Sequence, residues 1–337
     1  MPDSASDHEL FARAALPAYL RDGDAPLRLL SLSENATYLV DDDSPMVLRV
    51  HRPGYHSLPS ILSELHWMSA LRNETEVITP ELILTRHGSE VVTARVDGAA
   101  RHVDAVTFIP GYTAEQNPDA VGFDELGRLT AIMHEHARGW AAPARFERFR
   151  WDVDATLGPE ARWGDWRAAP GLTDSDQRAI DDAVGAVIGA LNGFGCGPDR
   201  FGLIHADLRL ANLMIDPSCD SSGITVIDFD DCGWSWYLAD LGAVLSWIED
   251  QPATPQIIAD WLRGYRQVRP LPSDHLAMIP TFVMLRRIML TAWIASHPEA
   301  DAAIEVSEGF GADTARLATR YLEDGTWLHD GVFAQRL

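Results

Sequence analysis

Lysine is absent from this 337-residue chain, so all 27 of its basic residues are arginine. The absence excludes Schiff-base chemistry, which needs a primary side-chain amine, and any phosphate site built on an ammonium point charge. Positive charge is scarce as well. Fifty acidic residues leave a formal net charge of −23. Nucleic acid and anionic membrane surfaces are disfavoured as partners, because like charge repels. Cysteine is also rare. Cys196, Cys219 and Cys232 form no paired framework and no CxxC spacing, which argues against a disulfide-built secreted fold and fits a cytoplasmic protein. No apolar run of membrane-spanning length is free of charge; residues 278–294 come nearest, but Arg286 and Arg287 interrupt them, so a buried core helix is expected. The first residues carry neither a basic nor an apolar leader region, and no signal peptide is expected.

What is present suits a folded chain long enough for two lobes: 46% of residues are apolar. The pattern predicts a helix over residues 6–20 and strands over 27–33, 37–40 and 46–52. The period then changes. Ile61, Leu62, Leu65, Met68 and Leu71 recur at three and four residues, which predicts an amphipathic helix over 59–72. Strands are expected again at 82–85, 90–96 and 102–108. This is the order of a small antiparallel lobe, and Ile109–Pro110–Gly111 is a natural break after it. Beyond the break, helices are expected over 123–140, 175–191, 238–248, 254–268, 274–296 and 312–322. A Trp-rich insertion occupies 151–171, and short strands at 201–204, 213–215 and 224–227 surround one loop. The expected division is a nucleotide-binding lobe over 1–108, a hinge over 109–113, and a catalytic and substrate lobe over 114–337.

The chemical signal is densest in Leu203-Ile204-His205-Ala206-Asp207-Leu208-Arg209-Leu210-Ala211-Asn212-Leu213-Met214. A carboxylate stands five residues before a carboxamide, between two apolar runs. Sixteen residues after Asn212, a second apolar run ends in Asp228, within Val226-Ile227-Asp228-Phe229-Asp230. Phosphoryl transfer explains this combination, because it needs a positioned hydroxyl and neutralised phosphate charge. Asp207 would accept the hydroxyl proton, and Asn212 and Asp228 would offer hard oxygens to Mg²⁺. His205 is expected to hold the loop by hydrogen bonds.

This HxDLxxxN segment, followed by a strand ending in Asp, resembles the protein-kinase signature set. Within that superfold it resembles the aminoglycoside phosphotransferase/choline kinase group, with small Ala206 in the loop, Ile-Asp-Phe-Asp at the metal segment, and Asp240–Leu241 a dozen residues on. The resemblance implies an α+β, protein-kinase-like two-lobe fold, with an antiparallel-sheet N-terminal lobe and a mostly helical C-terminal lobe. It implies ATP, with GTP as the alternative, and Mg²⁺ as cofactors. It places a phosphate-covering turn at residues 33–38, where Ser33 and Asn35 would bind phosphate. Arg49 stands on the third strand where relatives carry Lys, with Glu64 as its partner. Val47 would pack on the base, and Thr107 and Ile109 would meet its edge. Arg209 is a candidate for stabilising transferred charge, and Asp240 for bracing the loop.

The acceptor end is expected among aromatic and acidic residues of the large lobe: Asp231, Trp234, Trp236 and Glu249, with Trp163 and Trp166 nearby. Aromatic walls with carboxylates suit an amine-bearing substrate. The expected function is phosphorylation of a hydroxyl on a small amine-bearing molecule, such as an aminoglycoside or amino alcohol, by a monomer or homodimer. Two other readings stay open here: a bacterial Ser/Thr protein kinase of the stress-response type, and a catalytically silent kinase-like binding module.

Overall fold

The computed structural model describes residues 5–32, 35–218 and 223–328. In chain order the elements are α1 (Ala5–Ala15), β1 (Leu27–Leu32), β2 (Asn35–Val40), β3 (Met46–His51), α2 (Leu58–Glu74), β4 (Val91–Val96), β5 (Ala99–Thr107), β6 (Tyr112–Thr113), α3 (Phe123–Gly139), α4 (Val153–Leu157), α5 (Asp174–Phe194), β7 (Phe201–Ile204), β8 (Leu213–Ile215), β9 (Ile224–Val226), β10 (Gly233–Trp236), α6 (Ala239–Val244), α7 (Thr254–Val268), α8 (Ser273–Leu276), α9 (Ile279–Ser296) and α10 (Asp301–Glu323). The fold is α+β, and it divides into two compact units. The first holds Met1–Thr113, Ala141–Arg148 and Leu213–Asp230; the second holds Ala114–Trp140, Phe149–Asn212 and Asp231–Leu337. The linear division expected from the sequence thus leaves out two returns of the chain to the first unit.

The first unit is built on an antiparallel sheet of order β1-β2-β3-β5-β4. Strand alternation sends Met46, Leu48 and Val50 of β3 into the core, where α1 covers them with Phe11, Ala12 and Ala15. Val47 and Arg49, on the opposite face of the same strand, are left for a site. Ser57 caps α2, its Oγ accepting from the Ser60 amide at 3.2 Å. The strand expected over 82–85 is reduced to one bridge, Leu82 to Val106, because the chain turns back through Thr85 and Gly88. A small sheet of order β6-β8-β9 completes the unit. Gly111 is required at its entry: it holds φ +115°, and a Cβ there would lie 1.9 Å from the Ile215 carbonyl oxygen.

In the second unit α3 and α7 pack backbone to backbone. A Cβ on Gly127 would lie 2.0 Å from the Trp261 carbonyl oxygen, and one on Gly264 would lie 1.6 Å from that of Asp124. Strand β7 pairs antiparallel with β10, a strand the sequence pattern did not suggest. The helix expected over 274–296 is divided into α8 and α9, with Pro280 in the first turn of α9. The 273–296 segment is long and apolar enough to cross a membrane, yet α9 is buried along nearly its whole length against α5, α6 and α10. The helix expected over 312–322 begins earlier, at Asp301, and is broken at Glu308–Gly309.

Candidate active site

A cleft open to solvent, about 840 Å³ in all, lies within the first unit. It gathers Asn35, Val47, Arg49, Thr107 and Ile109 of the expected nucleotide residues, and Asp228 of the expected metal residues. Ser33, also expected there, lies outside the described residues. Glu64 sits behind the cavity wall, its Oε1 2.5 Å from Arg49 Nη1. Arg49 makes a second, forked contact that the sequence reading missed. Its Nε and Nη2 donate to the two oxygens of Asp104, at 2.9 and 3.1 Å. The two residues are register partners on β3 and β5. His51 Nε2 lies 2.6 Å from Asp104 Oδ2. Burial pushes the Asp104 carboxyl up, but Arg49 and His51 outweigh it and hold that group below the usual carboxylate range. A lone carboxylate inside the apolar run Val103-Asp104-Ala105-Val106 was the available signal.

The Asn35 side of the cavity is tied to the segment after β9. Asn35 is buried; its Nδ2 donates to Asp230 Oδ2 at 3.1 Å, while its Oδ1 has no hydrogen-bond partner among the described residues. Arg148, also missed from sequence, reaches Ser60 Oγ at 3.2 Å and donates to the Asp230 carbonyl oxygen. Between these ties Asp228 holds φ +65°, a conformation rare for a residue with a side chain and typical of functional sites.

In the second unit β7 delivers His205, Ala206 and Asp207. Asp207 is held on both carboxylate oxygens. Oδ1 accepts from Arg286 Nη2 at 2.5 Å, and Oδ2 from Asn212 Nδ2 at 2.8 Å and Arg209 Nε at 3.3 Å. Burial raises its pKa, but Arg209, Arg286 and His205 together hold the group below the usual carboxylate range, so it is ionised and fit to accept a proton. Asn212 Nδ2 also donates to the Asp207 carbonyl oxygen at 2.8 Å. Both amide hydrogens are then used, and the carboxamide oxygen remains as a hard oxygen of the kind that suits a divalent cation. Arg209 continues to Glu115, 3.4 Å away.

The loop itself is strained, with Ala206 at φ +68°. Asp240, at the start of α6, accepts from the Ala206 amide at 2.7 Å and the His205 amide at 3.3 Å. Its Oδ2 also takes His134 Nε2 at 2.9 Å, and His134 Nδ1 lies 2.8 Å from the Tyr265 hydroxyl. Burial lowers the pKa of His134 despite the opposing carboxylate, so the ring is neutral: Nε2 donates to Asp240 and Nδ1 accepts from Tyr265. His134 and Tyr265 lie on α3 and α7, the two helices brought together at Gly127 and Gly264.

The expected acceptor residues are dispersed. Trp236 is buried, donates its indole N–H to the Gly195 carbonyl at 2.8 Å, and packs edge-on against Phe201. Glu249 is fully buried beside Arg287 at 2.9 Å, and its burial raises its carboxyl pKa in spite of that cation. Both are core positions. Asp231 is buried too, its carbonyl accepting from Trp151 Nε1 at 2.8 Å. Trp234 is half-buried on β10, opposite Leu203. Trp163 and Trp166 are buried. The Trp163 ring lies 5.0 Å from the Arg286 guanidinium, and a further aromatic pair, Trp247 and Trp293, lies beside another contact of that arginine. Trp247 directly follows Ser246, whose Oγ accepts from Arg286 Nε at 2.9 Å. Trp247 is half-buried at φ +73°, with its ring 6.1 Å from that of Trp293.

The sequence profile described as the phosphotransferase enzyme family matches residues 27–272, well over half of the chain. A solved microcompartment-associated aminopropanol kinase is 43% identical, with a TM-score of 0.85 over 93% of this chain and 97% of its own. The amicoumacin kinase of Bacillus subtilis (strain 168) is 24% identical over 278 residues, 78% of each chain. An amicoumacin kinase solved with AMP-PNP and Ca²⁺ shares the fold at a TM-score of 0.68, with 23% identity over 86% of this chain and 88% of that one. Fold, family profile and these relatives agree: the chain belongs to the phosphotransferase enzyme family.

Proposed function

We propose that this protein transfers the γ-phosphoryl group of ATP, with Mg²⁺, to the hydroxyl of a short amino alcohol. The observation that carries the reading is Asp207: an ionised carboxylate immobilised on both oxygens, in a strained loop, beside a carboxamide whose oxygen is left for a cation. In the transfer, the acceptor oxygen forms a bond to phosphorus as the bond to the ADP oxygen breaks, and Asp207 takes the hydroxyl proton. Arg209, 3.3 Å from that carboxylate, adds positive charge beside the reacting oxygens. Asn212 and Asp228 are the residues that would hold Mg²⁺, which when bound neutralises phosphate charge. Arg49, Asn35 and the cavity around Val47 and Ile109 would hold the nucleotide.

The amino-alcohol acceptor is supported by the aminopropanol kinase that shares 43% identity with this chain. The half-buried Trp247, one residue from the Arg286–Ser246 contact, would supply a π face to an ammonium. The bound AMP-PNP and Ca²⁺ of the amicoumacin kinase support a nucleotide and a divalent cation.

A coupled ADP-release assay tests the reading, with ATP or GTP, Mg²⁺ and a panel of 1-amino-2-propanol, ethanolamine, choline, homoserine, an aminoglycoside and casein. Phosphorus NMR identifies the product. Acceptor-dependent ADP release with a phosphate monoester on a short amino alcohol is expected. Phosphate found only on casein, or only on the aminoglycoside, overturns the acceptor class.

A further inference from the structure

We propose that Arg286 is a positioning residue for the phosphoryl transfer, aiming Asp207 through two contacts of one guanidinium. The inference rests on the reading of Asp207 as the base. Arg286 lies on α9, distant in sequence from the loop, and its side chain is buried. Burying a cation is costly unless every donor is matched, so its partners define its purpose. One arm, Nη2, meets Asp207 Oδ1 at 2.5 Å; the other, Nη1, donates to the Ala206 carbonyl at 3.2 Å; Nε is fixed by Ser246 Oγ at 2.9 Å.

The Ala206 peptide explains the arrangement. A left-handed alanine relaxes unless its surroundings hold it. Asp240 grips its N–H from α6 at 2.7 Å, and Arg286 grips its C=O from α9. The same guanidinium then extends the restraint to the next side chain. With Arg286 on Oδ1, and with Asn212 and Arg209 on Oδ2, the carboxylate cannot turn about its own bond. Its one remaining lone pair, on Oδ1, points in a fixed direction, which is what transfer from a positioned hydroxyl demands. The neighbouring Arg287 gives the contrast: its partners are Glu249, Thr314 and the Phe310 carbonyl, none of them in the loop. Arg287 holds helices together, whereas two of the three hydrogen-bond partners named for Arg286, Ala206 and Asp207, belong to the loop.

The test compares Arg286→Met, Arg286→Ala and Arg286→Lys with Asp207→Asn, each normalised to folded protein by circular dichroism. Arg286→Met is expected to lower kcat by about 10²-fold, the scale of a misplaced reacting group, while both KM values stay within about twofold. Methylguanidinium is expected to restore part of the kcat of Arg286→Ala, and Arg286→Lys to fall between Met and wild type. A purely structural role would instead lower folded yield, shift both KM values together and show no rescue; that pattern overturns the proposal. So does a wild-type kcat in Arg286→Met while Asp207→Asn is inactive. An active Asp207→Asn would overturn the base assignment itself, and this inference with it, so the two failures are distinguishable.

Discussion

Arg49 and Asp104 face each other across β3 and β5 and are joined by a forked pair of hydrogen bonds at 2.9 and 3.1 Å. The same guanidinium reaches Glu64 at 2.5 Å. One cation thus serves two buried carboxylates lying in different directions. A lysine ammonium has the charge but not the planar, two-sided geometry.

Arg49→Lys is accordingly expected to be damaging, although it keeps the positive charge. One carboxylate, Asp104 or Glu64, loses its partner in a buried setting. The expected loss is about 2–4 kcal/mol of folding stability, somewhat under that of deleting one member of a buried pair. Urea unfolding measures it, and the KM for ATP should rise. A variant as stable as the parent would show that the fork contributes nothing.

Asn212→Ala and Asp228→Ala are expected to raise the Mg²⁺ concentration needed for half-maximal rate, since each removes an oxygen proposed above as a ligand. Circular dichroism should show Asn212→Ala folded. A magnesium titration that superimposes on wild type for both variants would argue against their ligand roles.

Trp247→Leu keeps apolar bulk and removes the π face. The KM for the amino alcohol should rise by about five- to thirtyfold, the equivalent of roughly 1–2 kcal/mol of cation–π contact, while the KM for ATP stays put. Equal changes in both values would place this residue in general packing.

His134 gives a pH-dependent stability. Burial keeps its folded pKa below the ordinary histidine value of about 6.5, the value it regains on unfolding. The unfolded chain therefore binds more protons as pH falls below about 6.5, and this group's contribution declines toward acid. Other groups titrate too, so the readout is a difference: urea unfolding of wild type and His134→Gln at pH 7.5, 6.5 and 5.5. Wild type should lose more stability than the variant across that fall. Parallel curves would refute a neutral buried imidazole.

Much of this protein was readable locally. The alternation in Met46–His51 predicts a two-faced strand, and the recurrences from Ile61 to Leu71 a helix, because each depends only on neighbours a few residues apart. The kinase-like α+β class and the phosphotransferase family were readable from residues 203–241, where Asp207, Asn212 and Asp228 lie close along the chain. Failures came where pairing is non-local. Strand β10 exists because β7 lies beside it, and Leu82 makes a bridge because only one residue there meets Val106. Glu249 and Trp236 looked like substrate residues because composition shows what a side chain can do and not which way it faces.

The residue types on which the proposed chemistry of the loop rests occupy one short stretch, so sequence alone displays them. It was insufficient for the supports of that loop. Arg286, which interrupts an apolar helix and reads as a blemish, contacts Asp207 across 79 positions, and Asp104 meets Arg49 across 55. Buried charges are matched by whatever the folded chain brings within about 3 Å, and nothing in local periodicity records that partner.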